Sequence, residues 1–216
     1  MHIMIDFETL SLKPNATLLA LGAVAFEPST RETLVPFYVN IDPRIQPGRD
    51  VSASTVVWWM KQSDEARARL TKAVDMADLK DSDAFPDMSE EEQDRIYAEH
   101  AMPINHAAQA FIAWIQYVED ETGVPVEAIW SCGGIDFTWL DSLMDYCGYK
   151  VPVAYYKQRD YRTLRELYPH IEAPEFAGAR HDAGADAMHQ TAHLADILQH
   201  IGQSRSKPPL ALVPTE

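Results

Sequence analysis

The sequence predicts an α/β domain built on a mixed β-sheet. Three extended apolar segments lie close together within residues 2–41, and connections this short favour an antiparallel meander. Further along the chain, extended and helical patterns alternate, as they do in βα units whose strands run parallel. A chain of 216 residues with 46% apolar residues can bury the core of one such domain.

The elements follow from the apolar pattern. Three strands are predicted first, beginning at Ile3-Met4-Ile5 and then spanning Leu18–Phe26 and Leu34–Ile41. The turn signal Lys13-Pro14-Asn15 separates the first two. Helical spacing of apolar residues then alternates with short apolar runs. The predicted order is a helix over Ala107–Val118, a strand over Val126–Ser131, a helix to Cys147, a strand over Val153–Tyr156, a helix over Thr163–Tyr168 and a helix over about 183–201.

The chain organisation follows from composition. Residues 1–203 are predicted as a single domain, in which residues 75–104 are an acidic, poorly periodic excursion, and residues 204–216 as an extended or disordered tail. No apolar stretch approaches the ~20 residues of a membrane span, and the start of the chain shows no signal segment. We therefore expect no membrane association, a cytoplasmic protein, and reduced Cys132 and Cys147.

The first chemical motif is Asp6-Phe7-Glu8-Thr9, directly after the first strand begins. Residues two apart in a strand share a face, so the Asp6 and Glu8 carboxylates point the same way. Adjacent carboxylates repel each other unless a cation lies between them, and oxygen ligands of this kind suit Mg²⁺. Solvated acids at a polar strand end are the alternative interpretation.

Two later motifs supply further acids and a histidine. Asp136 follows Gly133-Gly134 where a helix should start, and an aspartate there can also serve as the N-cap. His181 and Asp186 are five residues apart and cannot share one helix face, so we expect His181 to precede the last helix. We assign the N-cap to Asp182 and metal binding to Asp186. A surface histidine beside a cap is the alternative for His181.

Other aromatic and histidine pairs are weaker signals. His189 and His193 lie one helical turn apart and could bind a metal, but no partner acids stand out, so a solvated or half-buried helix face is expected. Trp58 and Trp59 could stack on nucleic-acid bases. Core packing is the alternative for at least one of them, because adjacent residues usually face opposite ways.

The three motifs together resemble those of the DEDD superfamily of 3′→5′ exonucleases, in its histidine-containing (DEDDh) branch. Cys132-Gly133-Gly134 stands where that family commonly has a polar residue, so the second motif is the loosest match. Thr55–Ser63 and Arg159–Thr163 resemble stretches in phage and prophage exonucleases and in a related mycobacterial-type 3′-exoribonuclease group. The resemblance implies a ribonuclease-H-like, mixed five-stranded sheet flanked by helices.

The resemblance also implies a chemistry. The enzyme would use two Mg²⁺ or Mn²⁺ ions to release 5′-mononucleotides from the 3′ ends of single-stranded DNA or RNA. A neutral histidine would take the proton from the attacking water. The implied site residues are the metal ligands Asp6, Glu8, Asp136 and Asp186, the catalytic residues Glu8 and His181, and Thr9, Leu10 and Phe137 around the terminal sugar and base.

The net charge of −15 keeps other functions open, because phosphate backbones attract basic surfaces. Much of that charge lies in Ser63–Glu99, which carries 12 acidic and five basic residues, whereas basic residues gather in Lys157–Arg162 and at Arg165 and Arg180. One rival is an oligoribonuclease for small substrates. Another is a catalytically silent acidic protein that mimics nucleic acid or binds a partner. The choice between DNA and RNA stays open, as does oligomeric state, with a homodimer among the options.

Overall fold

A mixed five-stranded sheet organises the protein. The computed structural model describes residues 1–68, 89, 92, 95, 96 and 100–205. The strand order is β3-β2-β1-β4-β5; β1 pairs antiparallel with β2, as β2 does with β3, whereas β4 runs parallel to β1 and β5. The strands are β1 His2–Thr9, β2 Leu18–Phe26, β3 Phe37–Asn40, β4 Ala128–Ser131 and β5 Gln158–Asp160. The predicted meander and the parallel βα units are confirmed.

Helices cover both faces of the sheet. They are α1 Ala53–Met60, α2 Ile104–Thr122, α3 Ile135–Tyr146, α4 Tyr161–Leu167 and α5 Ala183–Arg205. One face packs Ile3, Ile5 and Phe7 against residues of α2 and α3, in a single apolar cluster. The opposite face packs Met4 with α4 and with the buried residues of α5. The alternation along β1 therefore assigns its odd residues to one layer and its even residues to the other.

A close approach between β2 and α5 brings the last helix to the site. Gly22 pairs with Asp6 across the sheet, and a Cβ added to Gly22 would lie 2.2 Å from the carbonyl oxygen of Ala183. Only glycine leaves room for the first turn of α5 at this point. The missing side chain of Gly22 thus sets how near the residues at the start of α5 come to β1.

Two predicted strands differ from the structure. Leu34–Pro36 does not join β3, which begins at Phe37, because Pro36 lacks the N–H that a sheet ladder needs. The strand predicted over Val153–Tyr156 is wrong. A 3-10 turn occupies Tyr155–Lys157, and the strand is the polar segment Gln158–Asp160. As an edge strand, β5 can carry charged residues that a central strand would exclude.

Some predictions lie outside the described residues, namely most of the acidic excursion over residues 75–104 and nearly all of the tail over 204–216. The single-domain prediction over residues 1–203 stays a prediction. None of the helices in the described part of the chain combines the length and apolar character that a bilayer span requires. Cys132 and Cys147 are free thiols, as expected.

Candidate active site

The first two carboxylates lie at the end of the central strand. Asp6 and Glu8 alternate with the buried residues Ile5 and Phe7, so both carboxylates face the layer that contains α5. The pairing register of β1 with β2 shifts between Glu8 and Thr9, and such irregularities re-aim side chains next to active sites. The predicted shared face of Asp6 and Glu8 matches the structure.

Asp136 is held against the same strand. Gly134, with a φ of 77°, takes the N-cap position of α3, and Asp136 lies buried in the first turn. The alternative role of Asp136 as the N-cap is therefore wrong. Its Oδ1 instead accepts a hydrogen bond of 3.0 Å from the backbone N–H of Phe7. This bond places the Asp136 carboxylate beside Phe7, the residue of β1 that separates Asp6 from Glu8.

In the third motif, His181 precedes α5 and Asp182 caps it, as predicted. His181 has a φ of 63°, a left-handed conformation that is strained for a histidine. Its N–H donates to Oδ2 of Asp186 at 2.8 Å. Asp182 caps the helix by accepting a bond of 2.9 Å from the N–H of Ala185. The tight turn folds the His181 side chain back toward the Asp186 carboxylate.

The carboxylates and the histidine converge. Ligand atoms of Glu8, His181 and Asp186 all lie within 4.8 Å of one another. Burial, followed by repulsion from Asp186 and Asp136, raises the pKa of Glu8 to about 8. Burial, then Asp136 and Glu8, raises the pKa of Asp6 well above its usual range. Four mutually repelling acids in one cleft are a donor set that a divalent cation would stabilise.

Burial acts in the same direction on the other two acids. It raises the pKa of Asp136 to about 6, against opposing hydrogen bonds from backbone N–H groups and from Ser131. Burial also raises the pKa of Asp186, while the bond from the His181 N–H opposes the rise. Each of the four predicted metal ligands is therefore harder to ionise than an ordinary aspartate or glutamate.

A pocket of about 340 Å³ opens beside this cluster, lined by Phe7, Glu8, Thr9, Leu12, Ser54, Thr55, Trp58, Trp59 and Trp139. Trp58 is 41% exposed, and its ring centroid lies 4.8 Å from that of His181 in an edge-to-face contact. Trp59 is buried and donates from its ring nitrogen to the Thr9 carbonyl at 2.9 Å. The tryptophan pair thus divides between an exposed wall and the core, as the sequence allowed.

The three residues predicted around the terminal nucleotide occupy different environments. Thr9 lines the pocket, with its hydroxyl donating to the Ser11 carbonyl. Leu10 packs against the small buried cluster around Trp59. Phe137 is buried in the core beneath the sheet. The structure therefore brings Thr9 to the cleft and leaves Leu10 and Phe137 outside the pocket lining.

Sequence reasoning missed Gln190. Its side-chain amide donates to Oδ1 of Asp6 at 2.9 Å, and the residue is 9% exposed. Gln190 lies four residues after Asp186, hence on the same face of α5. That spacing is the signal that could have found it.

His189 and His193, the histidine pair considered from the sequence, both have structural contacts. His193 is buried, between the Tyr161 hydroxyl at 2.7 Å and the Ile171 carbonyl at 2.8 Å. The expectation of a solvated or half-buried His193 is therefore wrong, because α4 and residue 171 cover that face of α5. A ring nitrogen of His189 lies 3.0 Å from the Pro174 carbonyl oxygen.

Comparison with known proteins identifies the family. The model of the 3′-5′ exoribonuclease Rv2179c-like domain matches residues 1–198. The chain belongs to this exoribonuclease family. It is therefore a 3′-5′ exonuclease, and the catalytically silent protein that the sequence left open is not supported. No curated protein matches the chain significantly.

Solved structures share the ribonuclease-H-like fold of this exonuclease at low identity. The nuclease domain of 3′hExo, a DEDDh family member bound to rAMP, has a TM-score of 0.51 and 13% identity over 94% of this chain and 92% of its own. A 3′-exonuclease that recognises the histone mRNA stem-loop has a TM-score of 0.53 and 12% identity over 94% and 81%. E. coli exonuclease I with a dT13 oligonucleotide gives 0.53 and 12% over 94% of this chain but 42% of its own.

Proposed function

We propose that this exonuclease removes 5′-mononucleotides from the 3′ ends of single-stranded DNA or RNA by hydrolysis that depends on two divalent cations. The observation that carries the proposal is the convergence of Glu8, His181 and Asp186, with ligand atoms within 4.8 Å. Asp6 and Asp136 border the same cluster, because repulsion from Asp136 and Glu8 raises the pKa of Asp6. A pocket adjoins it and shares Glu8 in its lining.

The donor set fits Mg²⁺ or Mn²⁺, which prefer carboxylate oxygens. Asp6, Glu8, Asp136 and Asp186 would hold the ions, which would acidify the attacking water and stabilise the charge that develops on the leaving 3′-oxygen. Two protein contacts prepare this set. The N–H of Phe7 fixes one oxygen of Asp136, and the amide of Gln190 fixes one oxygen of Asp6.

His181 is the proposed general base. Its imidazole lies between the Glu8 and Asp186 carboxylates and the exposed ring of Trp58, where it can accept the proton of a water that attacks the scissile phosphate. The left-handed backbone of His181 and its bond to Asp186 hold the ring at this edge. Glu8 would share the catalytic centre by ligating the cation nearest to that water.

The pocket is the proposed place of the terminal nucleoside. Thr9 and the exposed face of Trp58 would contact its sugar and base, since bases stack on aromatic rings regardless of sequence. Leu10 and Phe137 would not touch the nucleoside. Both are packed in apolar clusters, where they would hold β1 and α3 in position.

Nucleotide release from 5′-labelled DNA and RNA hexamers tests the proposal. A descending ladder should form with Mn²⁺ and stop with a chelator. Asp186→Asn should abolish turnover, whereas Asp182→Asn is the matched control, because asparagine can still cap α5. Full activity of Asp186→Asn, or cutting of a closed circular strand, would contradict the proposal.

A substrate of only a few nucleotides is the second candidate. The net charge of −15 disfavours long backbone contacts and favours this oligoribonuclease reading. Equal specific activity on dinucleotides and on 20-nucleotide strands would argue for it, whereas a steep rise in kcat/KM with length would argue against it.

A further inference from the structure

Arg162 is one of the arginines that have no carboxylate partner among the described residues. Arg31, Arg44 and Arg67 each pair with an aspartate. Arg162 is exposed, and within the described part of the chain no carboxylate lies within ion-pair distance of its guanidinium. Its Nη2 donates a long bond of 3.3 Å to the Cys132 carbonyl and lies 4.0 Å from the Cys132 Sγ. In a chain of net charge −15, this guanidinium keeps its N–H donors for a ligand instead of directing them at an acidic side chain.

The guanidinium lies against the loop that leads to Asp136. A Cβ on Gly133 would fall 2.8 Å from the guanidinium carbon of Arg162, so the side chain occupies the space that glycine leaves free. Asp160 holds this arrangement from the other side. Its Oδ1 accepts from the N–H of Gly133 at 2.9 Å and from the N–H of Arg162 at 3.0 Å. The start of α4 is thereby fixed to the loop that precedes α3.

Arg162 stands apart from the pocket. The pocket lining comes from β1, the segment after it, α1 and Trp139, and includes no residue of α4. Asp136 lies between the two regions in the fold, because its carboxylate contacts β1 and its loop contacts Arg162. If the terminal nucleoside fills the pocket and the scissile phosphate lies at the carboxylates, Arg162 lies beyond Asp136 on the side away from the pocket, where the preceding nucleotide would extend.

We propose that Arg162 binds the phosphate immediately 5′ to the scissile phosphate. A guanidinium presents parallel N–H donors that match phosphate oxygens, and an arginine without a carboxylate partner keeps those donors for the strand. The ligand is thus a phosphodiester of the nucleic acid, which binds whether the sugar is ribose or deoxyribose. The inference rests on the proposed function, since it takes the carboxylate cluster as the cleavage point.

A substrate with one neutral linkage isolates this contact. Two single-stranded hexamers are compared, one with phosphates throughout and one with a methylphosphonate at the linkage 5′ to the terminal one. For the wild-type enzyme, the neutral linkage should lower kcat/KM for the first cleavage by about 10- to 100-fold, as expected for loss of a charge-assisted hydrogen bond. Arg162→Leu should show the same loss on the all-phosphate strand and no further loss on the neutral one.

Arg165→Leu is the matched control. Arg165 lies on the same helix, but its guanidinium lies 5.7 Å from the centre of the Tyr161 ring, so the variant should keep the wild-type sensitivity to the neutral linkage. Arg162→Lys should retain part of the effect, because a lysine keeps the charge without the paired donors. The inference is overturned if Arg162→Leu has the kcat/KM of the wild type on the all-phosphate hexamer. It is also overturned if Arg162→Leu lowers kcat/KM, relative to the wild type, by the same factor on both hexamers.

Binding separates this inference from the proposed function. The same four combinations of enzyme and hexamer can be measured as Kd by fluorescence anisotropy with Ca²⁺, which also takes carboxylate oxygens. If the wild-type enzyme releases no nucleotide, the proposed function fails. The Kd values still test Arg162 in that case. Arg162→Leu must weaken binding of the all-phosphate hexamer and leave binding of the hexamer with the neutral linkage unchanged.

Discussion

Glu8→Gln should stabilise the cation-free protein, and the gain should grow with pH. The pKa of Glu8 is about 8 in the folded protein against an ordinary value of 4.5, because of burial and the neighbouring Asp186 and Asp136 carboxylates. Below pH 4.5 the carboxyl is protonated in both the folded and the unfolded state, so folding carries no penalty. As the pH rises from 4.5 to 8, the unfolded state loses its proton first, and the free energy of unfolding falls.

The size of the effect follows from the pKa. The difference between about 8 and 4.5, at ~1.36 kcal/mol per unit, sets a ceiling of about 5 kcal/mol. Glu8 is partly exposed, so water screens it and we expect about 2–3 kcal/mol. For a chain of this length that corresponds to a Tm higher by roughly 4–12 °C for Glu8→Gln near pH 8.5.

Thermal unfolding in chelator, followed by circular dichroism between pH 5 and pH 8.5, measures this difference. Glu121→Gln is the control, because it removes the same charge from an exposed position on α2. Mn²⁺ should raise the Tm of the wild type and have much less effect on Glu8→Gln. If the difference in Tm between Glu8→Gln and the wild type does not vary with pH, or if Glu121→Gln reproduces it, the raised pKa of Glu8 does not destabilise the fold.

Three further substitutions test other parts of the site. His181→Asn, which suits the left-handed backbone of that position, should keep Mn²⁺ binding by calorimetry but lower kcat by ~10²–10⁴-fold, as loss of a general base does. Gly22→Ala should destabilise the fold by about 2 kcal/mol or more in urea titrations, because its methyl would meet the Ala183 carbonyl at 2.2 Å. Gln190→Leu should weaken Mn²⁺ binding by ~10–100-fold through a less ordered Asp6.

Each of these three substitutions has a matched control variant. His189→Asn changes a half-buried histidine on α5 that contacts the Pro174 carbonyl, and it should leave kcat unchanged. An equal loss of kcat in both variants would remove His181 as the base. Gly202→Ala adds a methyl where nothing lies within 4 Å and should stabilise the helix by ~0.5–1 kcal/mol. Gln199→Leu removes an exposed amide that bonds Arg31 and should bind Mn²⁺ like the wild type; weaker binding there would count against a specific role for Gln190.

Local spacing made much of the site predictable. Asp6 and Glu8 share a face because side chains alternate along a strand. His181 precedes α5, and Asp182 caps it, because five residues cannot return to the same helix face and the first helical N–H groups need an acceptor. These relations depend on a few consecutive residues, and the structure reproduces them.

Local patterns failed where packing decides the outcome. The apolar segment Val153–Tyr156 predicted a strand, yet Tyr155 is 81% exposed and the ladder falls on Gln158–Asp160. A short apolar run does not reveal whether its strand is central or at an edge, and an edge strand needs little apolar character. Similarly, the sequence around His193 does not indicate that Tyr161 and Ile171 cover this side chain.

The fold class, the three motifs and the local placement of Asp6, Glu8, His181 and Asp182 could be read from the sequence alone, because they follow from backbone periodicity and helix capping. Only the tertiary structure decided how the motifs meet. Asp136 reaches the N–H of Phe7 across 129 residues, and Gln190 reaches Asp6 across 184. It also decided that Thr9 lines the pocket while Phe137 lies in the core. Contacts between distant segments depend on the packing of layers, and the spacing of residues within one segment carries no record of that packing.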